Sequence, residues 1–179
     1  MSDRLVEPLV VFSPEIGRWL WALEEARRLT VRLVEGLDQR ILDWEGLDGR
    51  ENAIGSLLYH IGLIEMSWLY LDILVGPVPD FVEREFPYED RDGEGRLSRV
   101  LGVPLQTHLD RLHWSRRIFL DTFAGMSVEE FRRPRRPADS TDAATPEWII
   151  YHLVEHEAGH AFQISSLRAR AHRFFEPNP

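Results

Sequence analysis

The stretch Thr145-Pro146-Glu147-Trp148-Ile149-Ile150-Tyr151-His152-Leu153-Val154-Glu155-His156-Glu157-Ala158-Gly159-His160-Ala161-Phe162-Gln163-Ile164 carries its own helical punctuation. Thr145 offers an N-cap hydroxyl, Pro146 suits the first helical position, and Glu147 complements the positive end of the helix dipole. The core stripe predicted here runs Ile149, Leu153, His156, His160, Ile164, Leu167 and Ala171, so two histidines occupy inward positions where apolar side chains are expected. His156 and His160 lie one turn apart, about 6 Å along the axis, within reach of a single metal ion. His152 is one turn further back, about 12 Å from His160, so one ion cannot use all three. Two readings stay open: core histidines satisfied by hydrogen bonds, and a metal site that needs a third ligand from elsewhere in the chain.

The rest of the chain narrows the choice. Its 179 residues suit one domain spanning 1–179, and 44% hydrophobic with 28% charged residues fits a globular protein. The absence of cysteine excludes disulfides, thiolate catalysis by the protein itself and cysteine-ligated zinc. All 21 basic residues are arginine, so lysine catalysis is excluded as well. A net charge of -9 argues against broad nucleic-acid or anionic-membrane binding. The opening Met1-Ser2-Asp3-Arg4 lacks the basic region and apolar run of a signal peptide, and the apolar segment 54–75 is interrupted by His60, Glu65 and Asp72. A cytoplasmic location is the expectation.

Residues 1–12 read as an irregular lead-in. Ser13-Pro14-Glu15 then opens a first helix, with Ile16, Trp19, Leu20, Leu23, Thr30, Leu33 and Leu37 on its inner face and an end near Gly36. The connection 37–50 allows a short helical turn around Ile41, Leu42 and Trp44. Asn52 is the expected cap of a second helix running to about Val75 and stopping at Gly76-Pro77. Its inner stripe, Leu57, His60, Ile64, Trp68, Leu71 and Val75, brings a third imidazole to a buried face. Residues 76–100, rich in proline, glycine and charge, read either as an ordered loop whose Phe81, Phe86 and Tyr88 pack over the fold or as a simple crossover. A third helix over 104–124 turns Leu105, Leu109, Leu112, Phe119 and Phe123 inward. His108 shares that side as a further possible ligand, but exposure or partial burial is the expectation; His113 and His172 are placed on the surface. Ser127-Val128-Glu129-Glu130 has the form of a capping box. The arginines in Arg132-Arg133-Pro134-Arg135-Arg136-Pro137 read as a solvated charge run, with an anion-binding loop as the alternative. Four long amphipathic helices without a strand pattern predict an all-α four-helix bundle, a fold that builds metal sites from inward side chains such as His60, His156 and His160.

At this point the residues resemble a known family. Asn52-Ala53-Ile54-Gly55-Ser56-Leu57-Leu58-Tyr59-His60-Ile61 is similar to the second-helix motif of the DinB-like superfamily, and His156-Glu157-Ala158-Gly159-His160-Ala161-Phe162-Gln163-Ile164 to its last-helix motif. The resemblance covers most of the chain. It implies an up-down-down-up four-helix bundle with a long loop between helices two and three, often a homodimer. It also implies a divalent ion, zinc or nickel, held by His60, His156 and His160, with His152 left out. For function it implies a metal-dependent transferase or related enzyme that activates a thiol such as mycothiol, bacillithiol or glutathione, or water, against a small electrophile. The basic and glycine-rich residues common in the family between its last histidine and Gln163 are replaced here by Ala161-Phe162.

Two other functions fit the same motifs. His156-Glu157-Ala158-Gly159-His160 satisfies the H-E-x-x-H pattern of zinc metalloproteases, with Glu157 as general base, but the extended downstream glycine and histidine are missing. The other is a non-enzymatic, stress-linked binding module that its metal merely stabilises.

Overall fold

The computed structural model describes residues 4–137 and 140–175. Residues 1–3 of the expected lead-in therefore lie outside the described residues, while 4–13 carry no helix. Among the described residues the chain is all-α, with seven α-helices and no strand. These are α1 (Pro14–Val34), α2 (Gln39–Leu42), α3 (Ile54–Ser67), α4 (Asp80–Glu85), α5 (Leu105–Thr122), α6 (Val128–Phe131) and α7 (Pro146–Phe175), and α3 continues directly into a π-helical stretch, Trp68–Ile73. α1 lies along α7, and α3 packs on both α5 and α7.

Local chemistry sets several of the boundaries. The Trp148 amide donates to Thr145 Oγ1 at 3.0 Å, so Thr145 caps α7 as its sequence implies. The reciprocal bonds of the capping box between Ser127 and Glu130 start α6, and Asp38 caps α2 through the Ile41 amide at 3.1 Å. α3 begins one residue later than expected, with Ala53 and not Asn52 in the cap position and no side-chain cap. Its stripe also departs from the expectation after Ser67. The wider π turn shifts the helical phase, so Leu69 and Ile73 face the core while Leu71 and Val75 are exposed. Val75, with φ of 52°, ends the run ahead of Gly76.

The segment between the π stretch and α5 is not a simple crossover. It contains α4, buries Val82, Phe86, Leu97 and Val100, and is tied to α3 by the Tyr59 hydroxyl, which donates to the Tyr88 carbonyl and accepts from the Tyr88 amide, each at 2.8 Å. Gly62 lets this segment approach α3, since a Cβ there would stand 2.9 Å from Phe86 Cζ. The stretch Ile54–Ile73 is long and apolar enough to cross a membrane by composition, yet 67% of its most apolar window is buried inside the fold, so it serves as the core helix.

Two apolar clusters fill the interior. One gathers Ile16, Leu20, Leu23, Met66, Leu69, Phe119, Phe123, Phe131 and Leu153; the other gathers Val34, Ile41, Leu42, Leu57, Ile61, Leu112, Ile164 and Leu167. Each large side chain fully buried here contributes on the order of 1.5–3 kcal/mol. Between the clusters lies a charged layer with one residue from each long helix: Arg27 of α1, Glu65 of α3, Arg116 of α5 and Glu157 of α7, all 5% exposed or less. Arg27 donates to Glu157 at 2.7 Å, to Glu65 at 3.3 Å and to the Leu112 carbonyl at 2.6 Å. Arg116 donates to Glu65 at 2.5 Å, to Glu157 at 3.0 Å, to Glu24 at 2.7 Å and to the Leu23 carbonyl at 3.0 Å. Ser115 completes Glu65 at 2.9 Å. Burial alone pushes Glu65 up, but Arg116, Arg27 and the hydrogen bonds outweigh it and hold the carboxyl below its usual range.

The arginine run behaves as a strap. Arg132 pairs with Glu15 at 2.9 Å and Arg133 with Glu129 at 2.9 Å, while Arg135 and Arg136 donate to the carbonyls of Ile73 and Thr141. His113 is exposed, as expected, but His172 is half-buried and His108 is only 1% exposed. The expected α5 face is off by a fraction of a turn: its fully buried line is His108, Leu112, Ser115, Arg116 and Phe119, with Leu105 and Leu109 at its edge.

Candidate metal centre

His60 stands on α3 and His156 and His160 on α7, and the packing of α3 on α7 brings them together. One ring nitrogen from each lies within 4.8 Å of the other two, the arrangement required to hold one metal ion. His60 Nε2 is 3.0 Å from His156 Nε2, and His160 Nε2 is 3.1 Å from the same atom. The far nitrogens are supported from outside. His60 Nδ1 faces Asp90 Oδ1 at 2.5 Å and His160 Nδ1 faces Gln163 Oε1 at 3.0 Å.

These partners decide the tautomers. An acceptor oxygen at each Nδ1 favours a proton there, which leaves the Nε2 lone pairs of His60 and His160 directed toward His156. The single N–H of a neutral His156 can satisfy only one of them, so three nitrogens with at least two converging lone pairs form a donor set better matched to a cation than to each other. Burial is the main force on all three rings. Together with the neighbouring His160 it pushes His60 down to about 4 against the pull of Asp90, and with the other histidines it pushes His156 down to about 3. His160 is lowered too, chiefly by burial. All three are neutral at pH 7, the form that ligates metals.

The α7 histidines do not lie on the centre of the core stripe. Glu157 and Ala161 hold that position, and His156 and His160 sit on its half-buried shoulder. This placement also disposes of the protease pattern. Glu157 is 2% exposed, with both carboxylate oxygens engaged by Arg27 and Arg116, and is not free to act as a base. His152 stays out of the cluster. Its ring stacks on Trp148 at 5.3 Å with 2° between the planes, and lies 6.2 Å from His156. His108 belongs to a different part of the core and does not join the group.

Asp90 escaped the sequence reading because a carboxylate in a charged, glycine-rich loop has no periodicity to mark it. Its position depends on the Tyr59–Tyr88 tie two residues upstream. Gln163 was visible only as part of a motif; the i, i+3 spacing from His160 was the available signal.

A model of the DinB superfamily matches residues 22–164, a span that runs from α1 through His160. The chain is also 23% identical over 159 residues to the uncharacterized protein YkkA of Bacillus subtilis (strain 168), with 87% of each chain covered.

Proposed function

The chain belongs to the DinB superfamily, and on that premise we propose that it is a metal-dependent transferase that activates a small thiol toward an electrophile, with His60, His156 and His160 as ligands. The reading takes the four long helices as an up-down-down-up bundle, the active form as a homodimer, and zinc as the resident ion with nickel as the alternative. Its main support is the convergence of three Nε2 atoms, two of them with their tautomers set by Asp90 and Gln163. Three neutral imidazoles leave a coordination position open, and an ion there supplies Lewis acidity that lowers the pKa of a thiol or water.

The protein's own residues would do the rest. Asp90 and Gln163 hold two rings in the ligating orientation and raise their basicity. The charged layer behind Glu157 fixes the register of α7 against α3, and with it the spacing of His156 and His160 to His60. The half-buried shoulder of α7 admits the reactants from one side.

The test is metal content of protein purified without a metal-affinity tag, beside His60→Ala and His156→Ala. The expected result is one zinc or nickel ion per chain in the parent and none in either variant. A parent protein that carries no metal and takes up neither added zinc nor added nickel ends the proposal. The thiol part is read on nickel-loaded protein, where a small thiol is expected to produce a thiolate-to-metal charge-transfer band; with no band from any thiol, water activation replaces it. Asp90→Ala is expected to keep the stoichiometry but weaken zinc affinity about 10–100-fold, measured by chelator competition. Unchanged affinity would remove Asp90 from the site.

A further inference from the structure

A cavity lies along α3 and α7 from the histidines. About 700 Å³ in volume, it is lined by Trp68 and Asp72 of the π-helical stretch, by Trp148 of α7, and by the segment entering α7, including Asp142 and Thr145. Trp148 lies flat on His152, which fixes the plane of its indole. Trp68 packs against both rings, with centroids 5.9 Å from Trp148 and 5.0 Å from His152, inclined at 58° and 60°. The two indoles are thus two inclined walls held rigid from behind, and Trp148 is 47% exposed.

The charge of this cavity is one-sided. Asp72 is half-buried, pays a desolvation cost that raises its pKa, and has no hydrogen-bond or ion-pair partner among the described residues. Asp142 adds a second carboxylate, and no basic residue lines the cavity among the described residues. Arg135 and Arg136 of the strap, which donate to the carbonyls of Ile73 and Thr141, are not among its lining residues. A half-buried carboxylate without a partner, beside two indole faces, is the complement of an organic cation. The π-helical distortion that places Trp68 and Asp72 here is a feature that recurs at functional sites.

We propose that this cavity is a recognition subsite for an alkylammonium group, with Asp72 as counter-ion and Trp68 and Trp148 as walls. Trp68 follows His60 by eight residues and Trp148 precedes His156 by eight, so the subsite lies about 12 Å along the helices from the triad. A substrate that places its reacting group at the histidines would carry its ammonium group at about that distance; this last step rests on the metal reading, whereas cation binding does not.

The probe is choline, compared with its neutral isostere 3,3-dimethylbutan-1-ol. Binding is followed through the indole N–H resonances, assigned with Trp68→Phe and Trp148→Phe. Choline is expected to shift the Trp68 and Trp148 signals and to bind roughly tenfold more tightly than the isostere, as a partly desolvated cation–π contact with a counter-ion requires. Asp72→Asn is expected to remove most of that preference, with the spectrum of the rest of the protein unchanged. Equal binding of both probes, shifts confined to other tryptophans, or an Asp72→Asn variant that keeps the preference would overturn the proposal. The titration is run on chelator-treated, zinc-loaded and nickel-loaded protein with the metal measured in each sample. Choline preference in a protein that binds neither zinc nor nickel keeps the subsite and removes the metal reading; one metal ion per chain without choline preference does the reverse.

Discussion

Arg116→Ala is expected to destabilise the fold by about 3–5 kcal/mol, the cost of stranding buried charge. Arg116 and Arg27 balance Glu65 and Glu157 in a layer that is 5% exposed or less. Removing one guanidinium leaves two carboxylates facing a single cation, with the Leu23 carbonyl also losing its side-chain donor. Arg116→Lys is expected to recover little, because one ammonium lacks the planar fork with which the guanidinium reaches Glu65, Glu24, Glu157 and a carbonyl together. Urea unfolding monitored by circular dichroism measures both. A contrasting variant isolates the cause: replacing Arg27, Glu65, Arg116 and Glu157 together by apolar residues of similar size is expected to return most of the stability, since it removes charge and partner alike. A loss below about 1 kcal/mol in Arg116→Ala would mean that water reaches the layer and screens it.

That layer also shows where sequence reading stopped. The long helices, the α7 start at Thr145 and the capping box at Ser127 were legible because each depends on neighbours in the chain. Arg27 and Arg116 were not, although each sits three or four residues from core positions, Leu23 and Thr30 on α1 and Leu112 and Phe119 on α5. A hydrophobic pattern treats a charge on the inner face as a gap, and only the facing helices reveal that four such gaps meet. Leu71 and Val75 were misassigned because α periodicity was carried through a π-helical stretch. In the histidine cluster the meeting of His60, His156 and His160 was legible from spacing and motif. Asp90 was not, since its approach to His60 depends on a loop tied down by Tyr59.

His108 should make the fold sensitive to mild acid, and comparison with His108→Leu should expose it. The ring is 1% exposed, neither nitrogen has a hydrogen-bond partner among the described residues, and Gly55 packs so closely that a Cβ there would stand 3.2 Å from Nε2. Burial, and secondarily Arg111, push its pKa down to about 4. The unfolded chain takes up this proton near 6.5, whereas the folded chain resists it until about 4. Between those values the unfolded state binds more protons, so stability rises with pH across the window. The sign is therefore a loss on acidification: full stability above about 6.5, progressive loss down to about 4, and no further contribution below. The gap corresponds to about 3 kcal/mol. His60 and His156, also depressed, and the buried carboxylates add their own pH dependence, but these contributions are common to both proteins and cancel in the difference. Leucine fills a similar volume without polar atoms to desolvate, so His108→Leu is expected to match or exceed the parent at pH 7 and to exceed it by about 3 kcal/mol more at pH 4. Urea midpoints of the pair from pH 7.5 to 4 supply the measurement. A difference that stays flat with pH would mean that His108 takes up its proton without unfolding the chain, and that its corner of the core, between Gly55 and α5, opens to water more readily than its packing implies.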